Sequence, residues 1–149
     1  MNRVRALDHI AIAVENLDEA VEAYRSRLGA EVRSRETLPE RGVELAKLDV
    51  GGVCVELFRA LDPDSGLAKS IRKRGQGLHH LAFRVEDVSA SLEDLKGQGA
   101  PLVDAEPKAG ADDSRIAFLR PDALAGVLVE LVEPASAHEG GTPNEGGER

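Results

Sequence analysis

Two histidines occupy matching places in a sequence that repeats itself. The stretch LDHIAIAVENL near the N-terminus and the stretch LHHLAFRVEDV in the middle of the chain share almost one pattern, in which His9 corresponds to His80, 71 residues later. The segments VCVEL and VLVEL also match, and they place Glu56 in correspondence with Glu130, 74 residues later. Such self-similarity predicts two related modules, each of which supplies one imidazole and one carboxylate to a shared site.

This set of side chains suits a divalent metal ion. Two imidazole nitrogens and two carboxylates are ligands that Co²⁺, Mn²⁺, Fe²⁺, Ni²⁺ and Zn²⁺ accept, and they leave two positions of an octahedron open for a substrate. We therefore predict His9, Glu56, His80 and Glu130 as metal ligands, with Co²⁺ as the first candidate ion. A lone strand histidine is more often structural and a lone strand glutamate is more often a surface residue, so the repetition in register carries the prediction.

The strand around His9 supports a ligand role because of what shares its face. Alternation over residues 6–14 places His9 with the small residues Ala11 and Ala13 on one face and larger apolar side chains on the other. Small neighbours leave space beside the imidazole. His79 has the opposite parity to His80, so we expect a supporting or structural role for it.

Patterning along the chain predicts an α+β fold. Residues 5–61 and 78–134 each read as a β-α-β-β-β module, residues 62–77 as a linker with a short helix, and residues 135–149, which include His138, as a disordered tail. Helical spacing, capping residues and glycine stops predict helices from Leu17 to Gly29, over 66–74 and over 88–97. Alternation and turn residues predict the remaining elements as strands over 30–37, 43–50, 53–60, 78–85, 114–119 and 127–133.

Composition narrows the class of protein. The chain has 149 residues and a formal net charge of −8, which disfavours a nucleic acid partner because phosphate binding needs a positive field. No apolar run reaches the roughly 20 residues of a membrane span, and the first residues do not resemble a secretion signal, so we expect a cytoplasmic protein. Cys54 is the single cysteine, which excludes an internal disulfide and a thiolate metal cluster, and we assign it no catalytic role.

Over about residues 5–134 the chain resembles the methylmalonyl-CoA epimerases, a family of the vicinal oxygen chelate superfamily that also includes glyoxalase I and extradiol dioxygenases. The superfamily resemblance rests on the repeat. The narrower resemblance rests on motifs in order: DHIAIAV, the PERGV loop, VEL followed by DSGLAK, GLHHLAF, the DAEPKAGA loop, RIAFL and GVLVEL.

The resemblance implies a curved mixed sheet, formed by two paired modules around a metal-binding cleft. It also implies an acyl-CoA chelated by the ion through its thioester and carboxylate oxygens, which loses and regains the proton at C2 through a metal-stabilised enolate. His9, Glu56, His80 and Glu130 match the family's metal ligands. Glu130 is also the candidate for proton transfer, because a ligand carboxylate lies next to the chelated substrate. We expect a homodimer.

Two departures from the family pattern bear on the chemistry. Some relatives carry a glutamate three residues after the loop glycine as a second acid/base, but the third residue after Gly42 is Leu45, and Glu44 belongs to the opposite face. The second acid/base is therefore unassigned. Where epimerases usually show His-Pro-Lys, this chain has Arg120, a proline and Asp122, which reverses the charge of the lysine.

Other functions on the same fold remain alternatives. A glyoxalase I-like lyase also abstracts a proton beside a metal-bound oxygen. An oxygenase uses two histidines and one carboxylate with Fe²⁺, whereas four ligands are available here. A metal-free resistance protein that sequesters a small molecule relies on aromatic surfaces, and this chain has no Trp, one Tyr and three Phe.

Overall fold

The structure is a computed structural model that describes residues 3–135. Residues 136–149, which make up nearly all of the predicted disordered tail and include His138, lie outside the described residues. The described chain divides into two compact units, which we call the first unit (residues 7–82) and the second unit (residues 3–6 with 83–135). The module bounds predicted from the sequence stay a prediction.

The first unit has the order strand, helix, three strands, a short helix and a last strand. Its strands are arranged in the order β2-β3-β4-β1-β5, with β1 parallel to β4 and with β3 antiparallel to both β2 and β4. A 3-10 helix, Pro39–Arg41, precedes β3. The elements are β1 (Ala6–Ala13), α1 (Leu17–Leu28), β2 (Glu31–Leu38), β3 (Val43–Val50), β4 (Val53–Ala60), α2 (Gly66–Arg74) and β5 (Gly77–Arg84), whose last two residues belong to the second unit.

The second unit continues with a helix and three strands. These elements are α3 (Val88–Gly97), β6 (Lys108–Ala109), β7 (Arg115–Leu119) and β8 (Val129–Glu133), and the strands are arranged in the order β8-β7-β6 with antiparallel pairing. Two further 3-10 helices, Ala111–Asp113 and Pro121–Ala123, lie before and after β7. The predicted α+β order of elements is thus present in the described residues.

Local sequence signals set the bounds of α1 and of the hairpin that follows it. The Asn16 side chain accepts a hydrogen bond from the Glu19 N–H at 3.0 Å, and Gly29 ends the helix in the left-handed conformation at φ 68°. Between β3 and β4, Gly51 and Gly52 take φ values of 61° and 90°, as a two-residue hairpin turn requires. The bounds predicted for these elements are confirmed to within a residue or two.

The core of the first unit lies on one face of its strands. The buried side chains of β3 and β4, among them Leu48 and Leu57, pack with Leu17 of α1, and Ile12 of β1 packs against them. Because side chains alternate along a strand, the opposite face of β1 and β4 carries the residues of unlike parity, including His9 and Glu56. Packing of α1 on one face thus directs the polar side chains to the other face.

The second unit departs from the prediction at its last strand. The strand predicted over 127–133 begins at Val129, because Ala125 and Gly126 have positive φ values of 55° and 90° and the Val127 N–H is bonded to Leu124 in the preceding turn. The loop predicted over 106–113 contains the two-residue strand β6, which pairs with β7 at Ile116. The backbone turn before β8 and the pairing of β6 with β7 cause these two differences, and the periodicity of the sequence reveals neither.

Candidate metal centre

His9 and Glu56 lie close together on the face of the first unit that α1 does not cover. Parallel pairing of β1 with β4 places Ala11 beside Glu56, and Ala11 is fully buried. The histidine and the glutamate are 5 % and 6 % exposed. Their closest atoms, His9 Nε2 and Glu56 Oε2, are 3.3 Å apart. The predicted proximity of these two residues is therefore present in the first unit.

The other ring nitrogen of His9 is held by the residue before it. His9 Nδ1 lies 2.7 Å from Asp8 Oδ2. Since a carboxylate only accepts, Nδ1 is the donor, and in the neutral ring the lone pair then resides on Nε2. That lone pair faces a second acceptor, the carboxylate of Glu56. Two electron-rich atoms at this distance are compatible when a proton or a cation is shared between them, as at a metal site.

His80 joins the same cluster within the first unit. It is 6 % exposed, and its ring centroid is 5.8 Å from that of His9. Each histidine offers a ring nitrogen within 4.8 Å of one on the other. Phe58, two residues after Glu56 and on the same face, lies beside His80 with ring centroids 6.2 Å apart. The cluster is thus a pair of imidazoles and a carboxylate with an aromatic wall.

The spacing of His9 and Glu56 fits a divalent ion, and His80 offers a second imidazole nitrogen within 4.8 Å of one on His9. Ligand atoms about 2.1 Å from an ion and at right angles to each other are about 3.0 Å apart, close to the His9–Glu56 distance of 3.3 Å. Nitrogen and oxygen donors together suit the borderline ions Co²⁺, Ni²⁺, Zn²⁺ and Mn²⁺ better than Ca²⁺ or Mg²⁺, which prefer oxygen alone. A buried group of two histidines and a carboxylate is a metal-binding arrangement by its chemistry.

Glu130, the fourth predicted ligand, lies in the second unit. It stands on β8, paired with Phe118 of β7, and it is 2 % exposed. A carboxylate is rarely buried to this degree unless it is paired with a charge or a metal. Within its own unit it occupies the strand position that Glu56 occupies in the first, so its burial agrees with the repeat on which the ligand prediction rests.

Leu45, the residue that departs from the family pattern, is a buried apolar side chain on the same face as Glu56. It is 1 % exposed and pairs with Phe58 on β4, so it shares the face of Glu56. Its neighbour Glu44 has another role, since it accepts from Arg59 at 2.8 Å and from Arg35 at 3.2 Å. Glu44 therefore forms ion pairs, and the alternation argument that separated it from Leu45 agrees with these contacts.

Reasoning from single residues missed the roles of Asp8 and Lys47. Asp8 holds the His9 ring, and Lys47 of β3 lies opposite Glu56 of β4 in the strand register. The signal for Asp8 was present in the repeat, because it corresponds to His79, for which a supporting role was predicted. The signal for Lys47 was the two-glycine turn, which fixes the register of β3 against β4.

The remaining polar residues noted in the sequence lie on exposed segments. Arg120 and Asp122 form an ion pair of 3.4 Å and are 60 % and 64 % exposed, so the charge that replaces the family's lysine is paired locally. The basic residues of α2 are exposed near its C-terminal end, where they complement the helix dipole. No helix among the described residues is long and apolar enough to cross a membrane.

Comparison with known proteins identifies the class of protein to which this site belongs. Residues 8–118 match the Glyoxalase/Bleomycin resistance protein/Dioxygenase superfamily, which is the glyoxalase fold predicted from the repeat. The Ethylmalonyl-CoA/methylmalonyl-CoA epimerase of Cereibacter sphaeroides is 38% identical over 84% of this chain and 95% of its own length.

Two solved structures agree. The methylmalonyl-CoA epimerase from Mycobacterium tuberculosis has a TM-score of 0.84 and 39% identity, covering 93% of each chain. A methylmalonyl-CoA epimerase in complex with methylmalonyl-CoA and NH₄⁺ has a TM-score of 0.83 and 38% identity, covering 91% of this chain and 98% of the other. The chain therefore belongs to the methylmalonyl-CoA epimerase family of this superfamily, which confirms the predicted fold, family and isomerase class.

Proposed function

We propose that this protein interconverts the (R) and (S) forms of methylmalonyl-CoA with the help of a divalent metal ion. The observation that carries the proposal is the buried pair of His9 and Glu56, whose facing atoms are 3.3 Å apart beside His80. Such a group on the open face of the first unit suits an ion with free coordination positions. Membership of the epimerase family favours an acyl-CoA as the molecule that fills those positions.

The proposed ligands are His9, Glu56, His80 and Glu130, and Co²⁺ is the first ion to test. Support for the fourth ligand comes from the repeat, in which Glu130 corresponds to Glu56, and from its burial. When bound, a divalent ion acts as a Lewis acid toward the substrate oxygens and stabilises the negative charge that develops as the proton leaves C2.

Glu130 is the proposed acid/base for one of the two proton transfers. Its carboxylate would accept the C2 proton, and solvent label would enter the substrate when a solvent proton replaces this proton on the carboxyl group before return to C2. Inversion at C2 also needs proton delivery to the opposite face of the carbon. Leu45 has no ionisable group, so a water molecule or another side chain must serve there. Asp8 and Glu44 are already engaged with His9 and with two arginines.

Exchange of the C2 proton in D₂O tests the proposal. Wild-type protein loaded with Co²⁺ or Mn²⁺ should incorporate deuterium into methylmalonyl-CoA, as measured by mass spectrometry. Glu130→Gln should lose exchange by far more than it loses substrate binding, because the amide cannot accept the proton. Glu86→Gln, an exposed glutamate that pairs with Arg5 at 2.7 Å, is the control and should exchange as the wild type does.

Equal losses of exchange and binding in Glu130→Gln would show that Glu130 serves only as a ligand. Turnover of the glutathione hemithioacetal of methylglyoxal, without exchange in methylmalonyl-CoA, would replace the proposal with a glyoxalase I-like reaction. Less than about a tenth of an equivalent of metal, with no activity after adding Co²⁺ or Mn²⁺, would contradict metal dependence itself and favour a metal-free binding protein.

Ethylmalonyl-CoA is the second substrate to assay, because it stands in the name of the relative from Cereibacter sphaeroides. A homodimer and a cytoplasmic location are carried forward as predictions from the family resemblance and the sequence. Light scattering of the purified protein tests the dimer, since one chain has a mass of 15.9 kDa and a dimer has twice that.

A further inference from the structure

We propose that Asp8 and His79 are positioning residues, which hold the two histidines in the ring orientation and protonation pattern that metal binding needs. Each stands immediately before a proposed ligand, His9 or His80, and each contacts the Nδ1 atom of that ligand. This inference rests on the proposed metal site. It adds to that site the groups that decide which ring nitrogen carries a lone pair.

The contact of Asp8 is the more strongly polar of the two. Its Oδ2 lies 2.7 Å from His9 Nδ1, and the side chains of Asp8 and His9 are 16 % and 6 % exposed. A largely buried carboxylate beside an imidazole N–H fixes the ring against rotation and makes the opposite nitrogen a better electron donor. His9 Nε2, the nitrogen that faces Glu56, is thereby prepared to bind a cation.

The contact of His79 requires a particular arrangement of protons. Two ring nitrogens 2.8 Å apart, His79 Nδ1 and His80 Nδ1, form a hydrogen bond when one donates and the other accepts. If His80 is to present a lone pair on Nε2, its Nδ1 must donate, so His79 must accept on Nδ1 and carry its own proton on Nε2. The ring of His79 packs edge-on against Phe58, with centroids 5.0 Å apart, which restricts its rotation.

The two hydrogen bonds occupy corresponding positions of the repeat, but we expect them to differ in strength. Asp8 and His79 correspond in the two copies, and each lies within hydrogen-bond distance of Nδ1 of the next residue, to which it is the proposed acceptor. The acceptor is a carboxylate in one copy and a neutral imidazole in the other. Since hydrogen bonds to a charged acceptor are about twice as strong as neutral ones, loss of Asp8 should weaken metal binding more than loss of His79.

Metal affinity of purified variants tests the inference without relying on activity. Co²⁺ dissociation constants are measured by chelator competition, and the visible absorption of bound Co²⁺ reports its coordination. Asp8→Ala and His79→Phe remove the two acceptors, and we expect affinity losses of about 10- to 100-fold, with Asp8→Ala the weaker binder. Asp8→Asn keeps an oxygen acceptor without the charge and should bind Co²⁺ more tightly than Asp8→Ala and less tightly than the wild type. Glu86→Gln is the control and should bind as the wild type does.

Nitrogen-15 NMR of the metal-free proteins shows which ring nitrogen of each histidine carries the proton. This measurement does not depend on metal affinity, so it remains informative if a variant binds metal poorly for other reasons. In wild-type protein both ligand histidines should carry their proton on Nδ1, and in Asp8→Ala the His9 ring should lose that preference. Asp8→Asn guards against unfolding, because the amide has the shape of the carboxylate and keeps an oxygen acceptor for His9 Nδ1.

Two outcomes would overturn the inference and are distinguishable. Co²⁺ affinities of Asp8→Ala and His79→Phe within twofold of the wild type would reject positioning while leaving the metal site intact. Wild-type protein that binds neither Co²⁺ nor Mn²⁺ would reject the metal site and, with it, the purpose assigned to Asp8 and His79.

Discussion

The carboxylate of Glu133 should be a major source of stability for the second unit. It is 3 % exposed, and its Oε1 accepts a hydrogen bond of 3.0 Å from the N–H of Val88, the first residue of α3. The N-cap Asp87 accepts a hydrogen bond from the Ala90 N–H at 3.1 Å, and Glu133 of β8 is a second carboxylate that faces this helix N-terminus. Arg115 reaches its other oxygen at 3.6 Å and bonds Ser89 at 3.0 Å.

The size of the effect follows from these contacts. A hydrogen bond to a charged group contributes about 1.5–3 kcal/mol, and a buried N–H left without its acceptor costs about 1–3 kcal/mol. The two figures overlap in what they count, so we expect Glu133→Ala to lower the free energy of unfolding by about 2–4 kcal/mol. Arg115 is 40 % exposed, and its ion pair adds little to this sum. Glu133→Gln keeps an acceptor for Val88 and should cost about 1 kcal/mol.

Urea unfolding followed by far-UV circular dichroism measures these differences, since the chain has no Trp for fluorescence. The proteins are kept in excess EDTA, which removes any contribution of bound metal. Glu86→Gln, an exposed glutamate in an ion pair with Arg5, is the matched control and should change stability by less than about 0.5 kcal/mol. A loss below about 0.5 kcal/mol for Glu133→Ala would refute the assigned role.

Two further predictions concern a glycine and the metal. A Cβ at Gly110 would lie 2.6 Å from Ser114 Oγ and 2.7 Å from Ile116 Cγ2, so Gly110→Ala should cost about 1–3 kcal/mol in urea unfolding. At Gly66 an added Cβ meets nothing within 4 Å, so Gly66→Ala should not lower the free energy of unfolding by this amount. Equal losses of stability at Gly110 and Gly66 would contradict the packing argument. Co²⁺ at 100 times its dissociation constant should add about 2.7 kcal/mol of stability that EDTA removes, and an unchanged melting temperature would count against the metal site.

Much of the fold could be predicted because local signals and periodicity agree. Asn16 and Gly29 bound α1 in sequence and in structure, and the two glycines after Val50 place the hairpin. Periodicity failed at the start of β8, where the apolar residue Val127 continues the strand pattern but the left-handed backbone at Gly126 keeps it in a turn. Hydrophobic alternation reports which side chains share a face, and it does not report where pairing begins.

The candidate site was predicted to the extent that strand parity determines it. Parity placed His9 with Ala11 and Glu56 with Phe58, and these lie on the face that α1 leaves open. The residue opposite Glu56 could also be predicted, because a two-residue turn at Gly51 and Gly52 places Lys47 opposite residue 56 in the register of β3 and β4. Strand parity could not predict the contact of Asp8 with His9, because consecutive strand residues point to opposite faces. In the structure Asp8 Oδ2 nevertheless lies 2.7 Å from His9 Nδ1.

The two copies of the repeat preserve the placement of charge pairs while exchanging their signs. In the first unit Glu44 of β3 pairs with Arg59 of β4, and at the corresponding strand positions of the second unit Arg115 of β7 pairs with Glu133 of β8.

The exchange has a consequence for each helix. Because β8 carries the carboxylate, Glu133 can accept from the first N–H of α3, whose N-cap is Asp87. The corresponding Arg59 cannot accept, and α1 carries Asp18 and Glu19 in its own first turn instead. The N-terminus of α3 thus has a carboxylate from the sheet in addition to its N-cap, whereas that of α1 has the carboxylates of its own first turn. The four proposed ligands do not follow this exchange, because His9 and His80 are identical in the two copies and so are Glu56 and Glu130.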